Sequence, residues 1–321
     1  MRVAILDDYH NGALQAADWA SLGPGVTATA FTQHIGEEDA LIEALAGFGA
    51  IIAMRERTPL PARVLERLPD LRLIVTAGMR NAAIDIAAAT TRGITVCGTE
   101  MLGYPTAELA WGLILALCRH IVREDAAMRA GRWQTTLGIG LQGKTLGVIG
   151  LGRLGAQMAK FGAAFGMEVI AWSQNLTEER AAAAGARLVS KAELLAAADI
   201  VTIHLVLSPR TRGLIAAADL ARMKPSAFLV NTSRGPIVEE AALIAALEEG
   251  RIAGAALDVY DREPLPPGHK LRRLSNTVLT PHLGYVTEEA YRLVYGQAVE
   301  AIRAYLAGTP IRVLSPPSAA G

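Results

Sequence analysis

Gly147-Val-Ile-Gly150-Leu-Gly152-Arg-Leu-Gly155 is the stretch that decides how this chain is read. It sets Gly150, Gly152 and Gly155 in a G-x-G-x-x-G spacing. The apolar run 145–149 before it predicts a strand, and residues 156–165 after it predict a helix. In that context the pattern reads as a dinucleotide-binding turn. The first glycine permits the tight turn, the second lets the backbone approach a pyrophosphate, and the third lets helix and strand pack closely. The helix start adds unpaired N–H groups and the positive end of the helix dipole. The turn lies near the middle of a chain of 321 residues, so a substantial piece of protein precedes the nucleotide fold.

Working outward, the first hundred residues alternate short apolar segments with amphipathic ones. Strands are expected at 3–6, 50–54, 73–76 and 95–96, and helices at 37–46, 61–68 and 84–89. This alternation predicts a parallel α/β sheet. A long helical segment is expected over 106–130. Beyond the glycine turn a second series predicts strands at 146–149, 168–172, 200–204, 227–231, 255–259 and 277–279, enough for a full dinucleotide-binding fold. Residues 288–307 predict a last helix that returns to the first domain, and the Pro/Ser/Ala-rich stretch 315–321 is expected to fray.

Composition narrows the partners. Lys plus Arg and Asp plus Glu both number 31, so no basic footprint points to nucleic acid or an anionic membrane. No stretch has the length and apolarity of a membrane span, and the N-terminal Met1-Arg-Val-Ala-Ile-Leu-Asp7-Asp8 is no signal peptide. The two cysteines, Cys97 and Cys118, match no metal spacing and read as buried thiols. The chain is therefore read as soluble and cytoplasmic, without a metal. Gly138-Ile-Gly-Leu-Gln-Gly143-Lys144-Thr145 satisfies the formal P-loop pattern. A P-loop follows a strand and opens a helix, whereas this one leads into a strand, so it is set aside.

Three segments at predicted strand ends carry reactive side chains: Asn231-Thr-Ser-Arg234-Gly235, Asp258-Val-Tyr-Asp-Arg-Glu263-Pro264 and Thr280-Pro281-His282-Leu-Gly284. Ligands of open α/β sheets sit beyond the carboxyl ends of the strands. Hydride transfer to a ketone puts negative charge on its oxygen and needs a proton donor, which a His supplies. A carboxylate on the other ring nitrogen fixes the His tautomer, and an Arg grips a substrate carboxylate.

Together these motifs resemble the D-isomer-specific 2-hydroxyacid dehydrogenase family, which includes phosphoglycerate dehydrogenases and glyoxylate/hydroxypyruvate reductases. The resemblance covers nearly the whole chain. It implies two α/β domains: a Rossmann NAD(P)-binding domain over 104–284, and a flavodoxin-like substrate-binding domain assembled from 1–103 and 285–321. It implies hydride transfer between NAD(P)(H) and a small D-2-hydroxyacid or 2-ketoacid. Arg234 would bind the substrate carboxylate and carbonyl, Glu263 would orient the His, and His282 would give or take the proton. Asp258 matches the residue for the nicotinamide carboxamide. Gly150, Gly152, Arg153, Leu154 and Gly155 match the pyrophosphate turn, and Ser173, Gln174, His204, Thr232, Ser233 and Arg234 line the rest of the cofactor. In the first domain, Arg55 within Met54-Arg55-Glu56-Arg57-Thr58 matches a substrate Arg of some members. Gly78 and Met79 fall in the loop whose N–H groups hold the substrate carboxylate, with Arg80 a further candidate. That loop departs from the usual Gly-Val-Asp-Asn-Ile-Asp form and is longer. As in the family, the helix between the domains, apolar from Leu109 to Leu117, is expected to form a homodimer interface.

One departure bears on the cofactor. Trp172-Ser173-Gln174-Asn175 places Ser173 where NAD enzymes usually carry Asp. The 2′-phosphate of NADP is then not repelled, yet the nearest Arg by sequence is Arg180, so NAD and NADP both stay open. Val206 stands where the family often has Pro. Rival readings are a dehydrogenase of another small anion, formate or phosphite, and an NAD(H)-sensing binding protein on the same fold. Formate enzymes carry Gln where Glu263 stands, so Glu263 argues against formate. The other histidines, His10, His34, His120 and His269, have no supporting context, and His204 reads as a local hydrogen-bonding group. Trp133 and Trp172 are expected as core aromatics.

Overall fold

The computed structural model describes residues 1–314. The stretch 315–321, expected to fray, lies outside the described residues. The chain divides into two units: Met1–Leu102 together with the chain from Val286 onward, and Gly103–Tyr285.

The first unit carries five strands, β1 (Arg2–Ile5), β2 (Thr27–Ala30), β3 (Ala50–Ala53), β4 (Leu73–Thr76) and β5 (Thr95–Gly98). They pair in parallel in the order β2-β1-β3-β4-β5, the flavodoxin-like order. Between these strands lie the helices α1 (Glu38–Leu45), α2 (Ala62–Leu65) and α3 (Ile86–Thr91). β3 and β4 are buried along their whole length, as expected of strands covered on both faces. β2 was not expected from the sequence. Its Thr-Ala-Thr-Ala alternates between exposed and half-buried at the sheet edge, so it has no apolar signal.

In the second unit, two helices, α4 (Pro105–Cys118) and α5 (Ile121–Arg129), stand where one long helix was expected. The break falls at His120, whose left-handed φ of 51° ends the helical path. Proline opens α4, a position where its missing N–H costs nothing. The sheet then follows with β6 (Thr145–Ile149), α6 (Arg153–Ala164), β7 (Glu168–Trp172), α7 (Glu178–Ala183), β8 (Arg187–Leu188), α8 (Lys191–Ala197), β9 (Ile200–Ile203), α9 (Ala217–Leu220), β10 (Phe228–Asn231), α10 (Glu240–Glu248), β11 (Gly254–Leu257) and β12 (Thr277–Leu279). The strand order β12-β11-β10-β9-β6-β7-β8 is the Rossmann order with one strand added beyond β11. The two-residue edge strand β8 was not expected. Successive residues of one strand point to opposite faces. Accordingly Ile149, Ile203 and Leu229 pack with α8, α9 and α10, while Val148, Ile200 and Val230 pack with α4 and α6. The last helix, α11 (Glu288–Leu306), belongs to the first unit and packs on β4.

The exposure of apolar side chains bears on two sequence expectations, the use of α4 and the burial of Trp133. The apolar face of α4 is buried inside its own unit, with Trp111, Leu113, Ile114 and Leu117 in the core. The exposed large hydrophobics of this region are instead Ile121, Val122, Met128, Trp133 and Leu137. Trp133, expected in the core, is 75% exposed, because the stretch after α5 has no helix or strand of its own to fold it inward. Trp172 does pack against the core.

Candidate active site

The parallel register sets the geometry. Trp172, Ile149, Ile203, Asn231, Leu257 and Leu279 lie in one register row across β7, β6, β9, β10, β11 and β12. The residues that leave this row at the carboxyl ends of the strands are Ser173, Gly150, His204, Thr232, Asp258 and Thr280. Five of the six are candidate site residues from the sequence, and the sixth opens the histidine motif.

The order of the sheet reverses between β6 and β9, and there Gly150 meets His204. With φ at +99°, Gly150 sits in the left-handed region, and a Cβ on it would lie 2.6 Å from the His204 carbonyl oxygen. A Cβ on Gly155 would lie 2.2 Å from the Gly150 carbonyl oxygen. Neither position admits a side chain. Gly152, by contrast, has nothing within 4 Å of its missing side chain, so the backbone there is open to an incoming group. Arg153 opens α6 and lies against Gly103, and Leu154 is half-buried. The Leu151 N–H donates to Ser173 Oγ at 3.0 Å. Gln174 is exposed beyond it. Ser233 Oγ donates to the Ile203 carbonyl at 2.8 Å, tying the β10 loop to β9. His204 Nε2 bonds Thr202 Oγ1 at 2.8 Å, and burial holds the imidazole down at about 4. Two polar atoms of this row, His204 Nδ1 and Thr232 Oγ1, are buried with no partner among the described residues. Buried polar groups are rarely left so. The open Gly152 backbone and these two atoms fit a dinucleotide.

The reactive side chains follow on β10, β11 and β12. Asn231 shapes the first loop: its Oδ1 accepts from Ser233 N–H and its Nδ2 donates to the Arg234 carbonyl, both at 3.0 Å. Arg234 Nη1 donates to the Ser233 carbonyl at 2.7 Å. Gly235 then backs directly onto the next loop, where a Cβ would lie 2.1 Å from the Tyr260 carbonyl carbon. Tyr260 N–H donates to Glu263 Oε1 at 3.0 Å, and Glu263 Oε2 bonds His282 Nδ1 at 2.6 Å. The Tyr260 hydroxyl donates toward the Leu257 and Thr280 carbonyls at 3.1 and 2.9 Å, joining the ends of β11 and β12. His282 has a left-handed φ of 56°, which an L-residue adopts only when its surroundings hold it there. Asp258 does the holding. Its Oδ1 accepts from Thr280 Oγ1 at 2.6 Å and Leu283 N–H at 2.7 Å, and its Oδ2 from Gly284 N–H at 2.9 Å. Asp258 is wholly buried, and that burial raises its pKa even against these donors.

The structure thus brings Glu263 and His282 into direct contact and locks the Arg234 loop to them through Gly235. Sequence reasoning assigned no role to Gly235 or Tyr260, although both lie in the quoted motifs. A glycine directly after the arginine was the available signal.

Arg55, Gly78 and Met79 belong to the first unit. Arg55 lies two residues beyond the end of β3 and has a left-handed φ of 55°. Its guanidinium covers Gly78, where a Cβ would lie 2.4 Å from Nη1. Asn81 Nδ2 donates to the Arg55 carbonyl at 2.6 Å and so fixes that turn. The Gly78 N–H donates to Thr99 Oγ1 at 3.1 Å. It is turned inward. Met79 is 47% exposed, and Arg80 is exposed as well.

Residues 111–284 match the model of the D-isomer specific 2-hydroxyacid dehydrogenase family, NAD binding domain. The chain is 41% identical over 255 residues to a glyoxylate reductase of Aeropyrum pernix, covering 76% of each protein. The chain belongs to this family. It is an NAD(P)-dependent oxidoreductase of the 2-hydroxyacid dehydrogenase type. A D-3-phosphoglycerate dehydrogenase of Synechocystis sp. is 39% identical over 278 residues, which span 86% of this chain and half of that enzyme. Among solved structures, a phosphoglycerate oxidoreductase from Vibrio cholerae O395 superposes with a TM-score of 0.91 at 37% identity, covering 96% of this dehydrogenase and 99% of that chain. No helix among the described residues is long and apolar enough to cross a membrane.

Proposed function

We propose that this dehydrogenase interconverts a small D-2-hydroxyacid and its 2-ketoacid, with His282 moving the proton at the substrate oxygen. The observation that carries the reading is the 2.6 Å contact between His282 Nδ1 and Glu263 Oε2. A carboxylate on Nδ1 selects the tautomer with its proton there and directs Nε2 to the reacting oxygen. Arg234 supplies a fixed cation for the substrate carboxylate. When bound, the nicotinamide supplies or accepts the hydride. Gly150, Gly152, Arg153, Leu154 and Gly155 would hold the pyrophosphate, Ser173 and Gln174 the adenosine ribose, and His204, Thr232, Ser233 and Asp258 the nicotinamide half. Arg55 and the loop through Gly78 and Met79 are the substrate contacts proposed for the first unit. Glu263 favours a hydroxyacid over formate, whose oxidation needs no proton from the His.

The test is oxidation of NADH and NADPH with glyoxylate, hydroxypyruvate and pyruvate. A His282→Ala variant that keeps wild-type activity would refute the assignment. Without an acid at Ser173, both NAD and NADP are proposed as cofactors. We also propose a homodimer through the exposed apolar side chains of α5 and the segment after it. Glu124 fastens that segment, accepting from Thr136 Oγ1 at 2.5 Å and from the Thr135 N–H and hydroxyl, and these donors hold its carboxyl down at about 2. Light scattering on a Trp133→Glu, Leu137→Glu double variant should show monomers where the wild type is a dimer.

A further inference from the structure

We propose that Gly103 is a positioning residue for the cofactor: its missing side chain makes a flat seat for the Arg153 guanidinium and holds that cation ready for the pyrophosphate. The inference rests on the pyrophosphate role proposed for Arg153. Arg153 is the first residue of α6. A helix start is the positive end of the helix dipole and disfavours a cation. An anion brought to the turn reverses that cost, so a cation there serves an anion rather than the helix. Arg153 is also exposed, and ordering a long exposed side chain on binding costs affinity.

Gly103 removes part of that cost. A Cβ on Gly103 would lie 2.7 Å from Arg153 Cζ, 2.8 Å from Nη1 and 3.0 Å from Nε. These atoms share one plane and stand at nearly one distance, so the guanidinium lies face-on over the Gly103 Cα. Such stacking suits a flat, weakly hydrated cation. Gly103 is itself fixed to α6. Gln157, one turn beyond Arg153 on the same helix face, donates from Nε2 to the Gly103 carbonyl at 2.8 Å. The seat stands beside the glycine turn and not across it, because nothing lies within 4 Å of the missing side chain of Gly152. The guanidinium is thus ordered without covering the backbone proposed to meet the pyrophosphate. The φ of Gly103 is ordinary, and the three atoms nearest its missing side chain all belong to the end of Arg153. Neither a turn nor a backbone contact therefore requires glycine at this position. A methyl group there displaces the guanidinium and leaves the fold alone.

The experiment uses the full-length protein and isothermal titration calorimetry with NADH and with ADP-ribose, which keeps the pyrophosphate and lacks the nicotinamide. The variants are Gly103→Ala, Arg153→Gln and the two combined. Gly112→Ala is the control, since nothing lies within 4 Å of its missing side chain. Gly103→Ala should raise the Kd of both ligands by about twofold to tenfold, the range for ordering one long side chain, with thermal unfolding unchanged. In the Arg153→Gln background the same substitution should change neither Kd, because the guanidinium it displaces is gone. The double-mutant cycle isolates this coupling from a merely structural effect of the methyl group. If Gly103→Ala does not fold, Gly103→Ser takes its place, since it adds the same Cβ. Unchanged affinity in Gly103→Ala, an equal loss with and without Arg153, or a loss for NADH but not for ADP-ribose overturns the proposal. If Arg153→Gln binds both ligands as tightly as the wild type, the pyrophosphate role of Arg153 is refuted, and the seat falls with it.

Discussion

Replacing Gly235 by alanine adds one methyl group at the point where two loops of the site touch. Its Cβ would stand 2.1 Å from the Tyr260 carbonyl carbon, 2.3 Å from its oxygen and 2.6 Å from the Asp261 nitrogen. All three are backbone atoms, so no flexible side chain can swing away. Reaching an ordinary contact of 3.4 Å requires the loops to part by about 1.3 Å. Tyr260 N–H holds Glu263 Oε1, and Glu263 holds His282, so the displacement passes along two hydrogen bonds to the imidazole. A misplacement of about 1 Å costs on the order of 10²-fold in rate, or about 2.7 kcal/mol of transition-state stabilisation. Overpacking adds about 1–3 kcal/mol of lost stability. The assay is kcat/KM for glyoxylate or hydroxypyruvate, with cofactor affinity and thermal unfolding measured alongside. Gly268→Ala is the control, because nothing lies within 4 Å of its missing side chain and its φ is ordinary. Gly235→Ala should lose about two orders of magnitude in kcat/KM while still binding cofactor, and Gly268→Ala should lose none. A Gly235→Ala enzyme as active as the control would refute the chain of contacts from Gly235 to His282.

Two further outcomes follow from the cofactor side. Ser173→Asp puts a carboxylate beside the adenosine ribose, so NADPH affinity in a fluorescence titration should fall about tenfold or more, ~1.4 kcal/mol, with NADH affinity kept. Equal weakening of both would mean that Ser173 acts only by holding Leu151. The His204 pKa is lowered from 6.5 to about 4 by burial. The unfolded chain therefore takes up this proton first as pH falls, and stability present above 6.5 is lost between 6.5 and 4. The loss is about 3 kcal/mol at most. The pH dependence of unfolding should be flatter in His204→Gln across that window, and a parallel curve would show that the imidazole is not held neutral.

What could be read from the sequence depended on how each feature is encoded. The glycine turn was legible because close approach leaves a residue type behind: only glycine fits at Gly150 and Gly155. The central strands were legible because burial on both faces demands continuous apolar runs. The edge strands β2 and β8 were not, since an edge strand half in solvent needs no such run. The division at His120 was hidden because it is made by a left-handed histidine rather than by Gly or Pro. The apolar run of α4 was legible: periodicity shows that a face is apolar, and packing shows that β10, β11 and α6 cover it.

The candidate site was legible for a different reason. In a parallel sheet the strands end on one side, and in β10, β11 and β12 the order along the chain is also the order in space. Asn231, Leu257 and Leu279 share a register row, so three motifs spaced along the sequence must emerge side by side. Motif order therefore placed Arg234, Glu263 and His282 on later strands of one sheet, and the strand order makes those strands neighbours. It could not predict what makes them a unit. That depends on backbone N–H groups at Tyr260, Leu283 and Gly284, which leave no characteristic residue type behind, and on the absence of a side chain at Gly235. Residue identity specifies the chemistry of this site, while its precision at the level of an ångström is carried by Asp258 and Gly235. Neither was assigned that positioning role from sequence.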